Sequence, residues 1–176
     1  MTHELAVSPV THLVPMLLAA ADTIWRFLGE SSSVLSLGLA GLGSAIGIGL
    51  AGQAASGAWA KEARAGRNLS FTYIILVGMP ISQTLYAMIV MVNMRGVFAN
   101  PDVTIADSGL LTGIGLAMGI AEMVSAWMQG LIGAAGIRAL SDSEGKGLAF
   151  IIIAMGIVET VGIFAMVFLL GMIPKV

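Results

Sequence analysis

Residues 148–173 read LAFIIIAMGIVETVGIFAMVFLLGMI, and the single charge in that stretch is Glu159, near its middle. A run of this length crosses a hydrocarbon core, which takes about 20 apolar residues as a helix. Lipid leaves no other choice for an open segment, because every backbone N–H and C=O must find its partner internally. A carboxylate at that depth costs about 2.5–3.5 kcal/mol on insertion scales, so Glu159 marks a functional position and needs a neutralising partner.

Working outward, three more apolar runs precede it, and the four cover about 34–60, 69–98, 106–139 and 147–173. The chain as a whole is 57% hydrophobic and 10% charged, with mean hydropathy +0.96. That composition excludes a soluble core, and the net charge of −2 implies no nucleic-acid partner. The fold class expected is an all-α membrane protein with four transmembrane helices arranged as two tandem hairpins. Residues 34–98 form the first hairpin and 105–173 the second, which carries the carboxylate.

Polar joints separate the runs. The first holds Lys61, Glu62, Arg64 and Arg67; the second Arg95, Asn100, Pro101, Asp102 and Asp107; the third Arg138, Ser141, Asp142, Ser143, Glu144 and Lys146. Most of the basic residues fall in joints one and three. The positive-inside bias therefore predicts joints 61–68 and 138–146 in the cytoplasm and both termini outside. Residues 1–33 read as an N-terminal extension, either an interfacial helix or a loosely ordered segment, rather than a fifth span. They lack the basic start of a good signal peptide.

The chain repeats itself at a shift of 76 residues. Met79-Pro80-Ile81-Ser82-Gln83-Thr84 overlays Met155-Gly156-Ile157-Val158-Glu159-Thr160, and Gln53 overlays Gln129. Each hairpin thus carries two polar positions, equidistant from its turn and about 20 Å from it. The first half has Gln where the second has Glu, so the bundle has one ionisable site. Met79, Ser82, Gln83 and Tyr86 share one helix face. Pro80, lacking an N–H, frees a carbonyl four residues back. Oxygens of Ser82, Gln83, Gln129, a backbone carbonyl and Glu159 would suit a hard cation such as Na⁺, with the Tyr86 hydroxyl holding the carboxylate. Any one of these residues alone would be ordinary interhelical packing or hydrogen bonding; together, around one acid, they point to a ligand set.

Glycines concentrate in alternate runs: Gly38, Gly41, Gly43, Gly47, Gly49, Gly52 and Gly57 in the first, Gly109, Gly113, Gly115, Gly119, Gly130, Gly133 and Gly136 in the third. Small helices suit a tight inner circle and the bulkier second and fourth an outer, lipid-facing one.

These stretches carry a resemblance. Gly-Leu-Gly-Ser-Ala at 41–45, Gly-Leu-Ala-Gly-Gln-Ala-Ala at 49–55, Met-Pro-Ile-Ser-Gln-Thr-Leu-Tyr at 79–86, Gln-Gly-Leu-Ile-Gly-Ala-Ala-Gly-Ile at 129–137 and Val-Glu-Thr at 158–160 occur in order. The chain resembles the V/A-type ATPase rotor-ring proteolipids in their duplicated four-helix form, over about 34–173. The resemblance implies a homo-oligomeric ring in lipid, joined to a central stalk and turning against a static stator subunit that bears an Arg. It implies a non-catalytic, ion-translocating part of a complex for ATP synthesis or hydrolysis, integral to a membrane, which in a prokaryote is the cytoplasmic membrane; the chain itself has no P-loop. It also implies Na⁺ held by the Met79 carbonyl, Ser82, Gln83, Gln129 and Glu159, with Tyr86 bracing the carboxylate, or H⁺ on Glu159 alone. Ser82 stands where Thr is common. Glu122 lies outside the pattern, about 10 Å outward of Gln129; protonation, a place facing the ring interior and pairing with another group all stay open, and a second ion site there is the less favoured reading. The rival class is a small cation-coupled secondary transporter with Glu159 as its substrate carboxylate.

Overall fold

The computed structural model describes residues 9–175. Four helices are long and apolar enough to cross a membrane. The elements are α1 (Pro9–Arg64), α2 (Thr72–Gly78), a 3₁₀ turn (Met79–Ile81), α3 (Ser82–Phe98), α4 (Ile105–Asp142) and α5 (Leu148–Gly171). Among the described residues all regular structure is helical.

The extension does not form an element of its own. Residues 9–33 are the first turns of α1, which runs unbroken for 56 residues, or about 84 Å. Residues 1–8 lie outside the described residues. The serines near residue 33 do not break the helix, because three of their hydroxyls fold back on the ladder. Ser32 Oγ donates to Gly29 O at 2.8 Å, Ser33 Oγ to Glu30 O at 2.6 Å, and Ser36 Oγ to Ser33 O at 2.6 Å. Self-satisfied hydroxyls of this kind can be buried, and Ser32, Ser33 and Ser36 are. Gly29 packs against Phe98 and Ser108, and Arg26 donates to Phe98 O at 2.6 Å, satisfying an orphan carbonyl at the end of α3. Residues 12–20 of α1 are all exposed, and its packing against α4 is established by Trp25, which meets Gly109.

Helix α1 packs along α4, with α3 and α5 flanking this pair. The glycines set the separation. A Cβ at Gly43 would overlap the Met123 backbone, and one at Gly130 would overlap Gly47 Cα. Above that crossing Gly115 meets Ser32 and Gly119 meets Ser36 and Leu39. Two apolar clusters fill the bundle, one around Met94, Leu111 and Met118 toward the end bearing joint two, the other around Leu76, Ile137 and Met155 toward the end bearing joints one and three. Helix α5 buries only Met155 and Gly162 within the chain, while Phe150, Ile153, Ile157, Val161, Phe164 and Phe168 point outward. That exposed side suits lipid.

The joints explain how the hairpins close. Glu62 accepts from the Ser70 backbone N–H at 2.9 Å and from the Tyr73 hydroxyl, while Trp59 Nε1 donates to Ser70 O at 2.8 Å. Thr104 and Asp107 form a capping box that starts α4. Gly147, with φ of 93°, turns the chain into α5 through a left-handed conformation open to glycine. Joints one and three meet at one end: Lys61 pairs with Asp142, and Arg67 donates to Ser141 O at 3.3 Å.

Candidate functional site

The proline break positions the site. Pro80 interrupts the second span, which continues as a 3₁₀ turn before resuming at Ser82. The carbonyl it frees, that of Leu76, faces Gly133 on α4, where a Cβ would sit 3.2 Å away. It therefore lies against α4 backbone rather than among the polar side chains. Beyond the turn, Ser82, Gln83 and Tyr86 share a face directed at α4 and α5. Ser82 Oγ donates to Met79 O at 3.1 Å and lies 3.2 Å from Gln83 Oε1.

A chain of hydrogen bonds leads from there to Glu159. Gln83 Nε2 donates to Gln129 Oε1 at 3.3 Å, and Gln129 Nε2 donates to Glu159 Oε2 at 3.3 Å and to Met155 O at 3.3 Å. Tyr86 Oη donates to the other carboxylate oxygen, Oε1, at 2.9 Å. Gln83 and Gln129 are completely buried; Tyr86 on α3 and Glu159 on α5 are half-buried. All six residues expected from the sequence, namely Met79, Ser82, Gln83, Tyr86, Gln129 and Glu159, thus join in one network.

This arrangement has a definite chemistry. A lone carboxylate in lipid is expensive, and here each of its oxygens has a donor. The same side chains carry oxygens: two amides, one hydroxyl, one backbone carbonyl and the carboxylate. Turning each amide end for end exchanges its N–H₂ for its oxygen. The donor set therefore serves either an empty carboxylate or a hard monovalent cation. Among the described residues no group of three His, Cys, Asp or Glu converges.

Two positions differ from the sequence expectation. Gln53, the first-half counterpart of Gln129, is exposed and lines a groove of about 550 Å³ between α1 and α4. Gln83 bonds instead across the halves to Gln129. The repeat predicts equal depth but not the direction a side chain takes about its helix. Ser125, not singled out from the sequence, lies 3.3 Å from Gln83 Nε2 and donates to Val158 O at 3.0 Å, tying three helices together. Its i, i+4 relation to Gln129 was the available signal.

The family model for the C-type subunits of ATP synthase matches the chain twice, at residues 32–94 and 112–172. The A-type ATP synthase subunit K of Methanocaldococcus jannaschii is 32% identical over 126 residues, covering 70% of this chain and 53% of that protein. The chain thus spans about half the length of the curated relative it matches. The double match coincides with the two hairpins and with the internal repeat, and the second copy contains Gln129 and Glu159. The chain therefore belongs to the ATP synthase C-type family, as a multi-pass membrane protein of the duplicated V/A proteolipid type, a family whose members assemble into rings.

Proposed function

We propose that this chain is the rotor-ring subunit of an A/V-type ATP synthase or ATPase, carrying Na⁺ on Glu159 from one side of the membrane to the other. The observation that carries the reading is the hydrogen-bonded set around Glu159, built by three helices and containing five oxygen-bearing groups, one of them a carboxylate. Glu159 is neutral in effect while a cation sits beside it, so the site crosses the lipid face without a bare charge. It exposes that charge only opposite the Arg of a static stator subunit. Cargo exchange is thereby tied to rotation, and a central stalk passes the rotation to nucleotide chemistry performed by other subunits.

The oxygen set favours Na⁺ over H⁺, since a proton needs only the carboxyl and a pocket that favours its neutral form. Joints one and three lie together, as the positive-inside reading requires, and this supports their placement in the cytoplasm with both termini outside.

Carbodiimide labelling of Glu159 in the purified ring tests the cargo. The reagent attacks the protonated acid, so millimolar Na⁺ is expected to suppress labelling. Labelling that ignores Na⁺ would assign H⁺ instead. Glu159→Gln is expected to assemble into a ring that no longer couples transport; retained pumping by that variant would refute the role of Glu159.

A further inference from the structure

Glu122 is completely buried, and neither of its carboxyl oxygens has a hydrogen-bond partner among the described residues. It sits on α4 one turn past Met118 and next to the apolar cluster that Met118 helps to form. Across from it is Gly162, where a methyl group would overlap Glu122 Oε2. The glycine thus leaves the space that the carboxyl fills. Gly162 lies one turn beyond Glu159 on α5, about 4.5 Å along the axis. The Glu159 network does not use Glu122.

We propose that Glu122 is a second ion-binding carboxyl of this subunit, specific for H⁺ and loaded whatever Glu159 carries. Three lines converge on it. An ionised carboxylate without a donor is not tolerated in apolar packing. A metal cation needs several oxygen ligands, whereas Glu122 belongs to no hydrogen-bonded set of polar side chains among the described residues. No cationic side chain is available either: α1 has no charge between Glu30 and Lys61, α3 has only Arg95 near its far end, α4 has only Asp107 and Arg138 toward its two ends besides its terminal Asp142, and α5 has only Glu159. The Tyr86 hydroxyl on α3 is committed to Glu159.

The proton has a consequence for the neighbouring site. Two carboxylates one helical turn apart in lipid would repel each other. With Glu122 neutral, the pair carries one negative charge, the amount that one monovalent cation offsets. This consequence rests on the cargo reading given above; the protonation itself does not.

Infrared spectroscopy of the intact purified ring at neutral pH separates the two. An un-ionised carboxylic acid has a carbonyl stretch that carboxylates lack. In Glu159→Gln the band is expected to persist, with or without Na⁺. In wild-type protein saturated with Na⁺ it is expected to remain, and in Glu122→Gln under the same conditions to disappear. Glu122→Asp, should the amide variant not assemble, is expected to move the band rather than remove it. A Glu159→Gln ring without any un-ionised acid band overturns the proposal, as does a band that survives unchanged in Glu122→Gln or Glu122→Asp. A wild-type band that Na⁺ leaves at full intensity, with Glu122 contributing only part of it, counts against the Na⁺ cargo alone.

Discussion

Tyr86→Phe removes one oxygen and leaves the ring that packs beside α5. The lost contact is the 2.9 Å hydrogen bond to Glu159 Oε1, the only side-chain donor to that oxygen among the described residues. Hydrogen bonds to charged groups contribute about 1.5–3 kcal/mol. Tyr86 and Glu159 are half-buried, which argues for the lower end. At about 1.4 kcal/mol per factor of ten, Na⁺ affinity is expected to fall about tenfold, and by no more than about a hundredfold. The mechanism is loss of orientation: without the hydroxyl, Glu159 explores rotamers that point away from Gln129. The assay is the Na⁺ concentration that half-protects Glu159 from carbodiimide, compared between wild-type and variant rings of equal oligomeric state. A half-protection point unchanged within a factor of two would refute the bracing role and leave Tyr86 as packing.

Three further outcomes follow from the geometry, and a fourth from the placement of the joints. Ser125→Ala strips Val158 O of its side-chain donor and Gln83 of a neighbour, and is expected to lower thermal stability of the purified ring by about 1 kcal/mol while Na⁺ protection persists. Gly130→Ala puts a methyl into the Gly47 backbone, so α1 and α4 must part; a loss of about 1–3 kcal/mol or more, as overpacking brings, is expected to show as failure of ring assembly on native gels. Asp142→Asn breaks a pair whose side chains are 51% and 71% exposed, and is expected to leave the melting temperature of the ring within the error of the measurement. The chain has no cysteine, so single cysteines at Ser143 and Asp102 report topology cleanly: an impermeant thiol reagent added outside intact cells is expected to label the second and spare the first.

The polar network around Glu159 is legible in the sequence because lipid penalises polar side chains. A Gln or a Glu within an apolar run stands out by its cost, and Glu159, Gln129, Gln83 and Tyr86 each stand out that way. Ser125 does not, since a lone serine is common between membrane helices and carries little penalty. The repeat gives the equal depth of Gln129 and Glu159, which the 3.3 Å bond between them reflects. It misleads about Gln53, because a period fixes height along a helix and says nothing of azimuth. The length of α1 is hidden by its serines, whose hydroxyls are polar in composition yet internally satisfied in a helix. Glu122 is visible as an anomaly. Its resolution depends on Gly162, a residue of another helix that only the packing brings opposite.

The crossing of α1 and α4 has a mechanical side. At Gly47 and Gly130 two main chains bear directly on one another, with no side chain between them. A contact cushioned by long side chains yields under load, because rotamers shift and the layer behaves as a soft spring. Peptide planes pressed together offer no such compliance. In the proposed rotor, a load on one of these two helices would pass to the other at this crossing without a side-chain layer to absorb it.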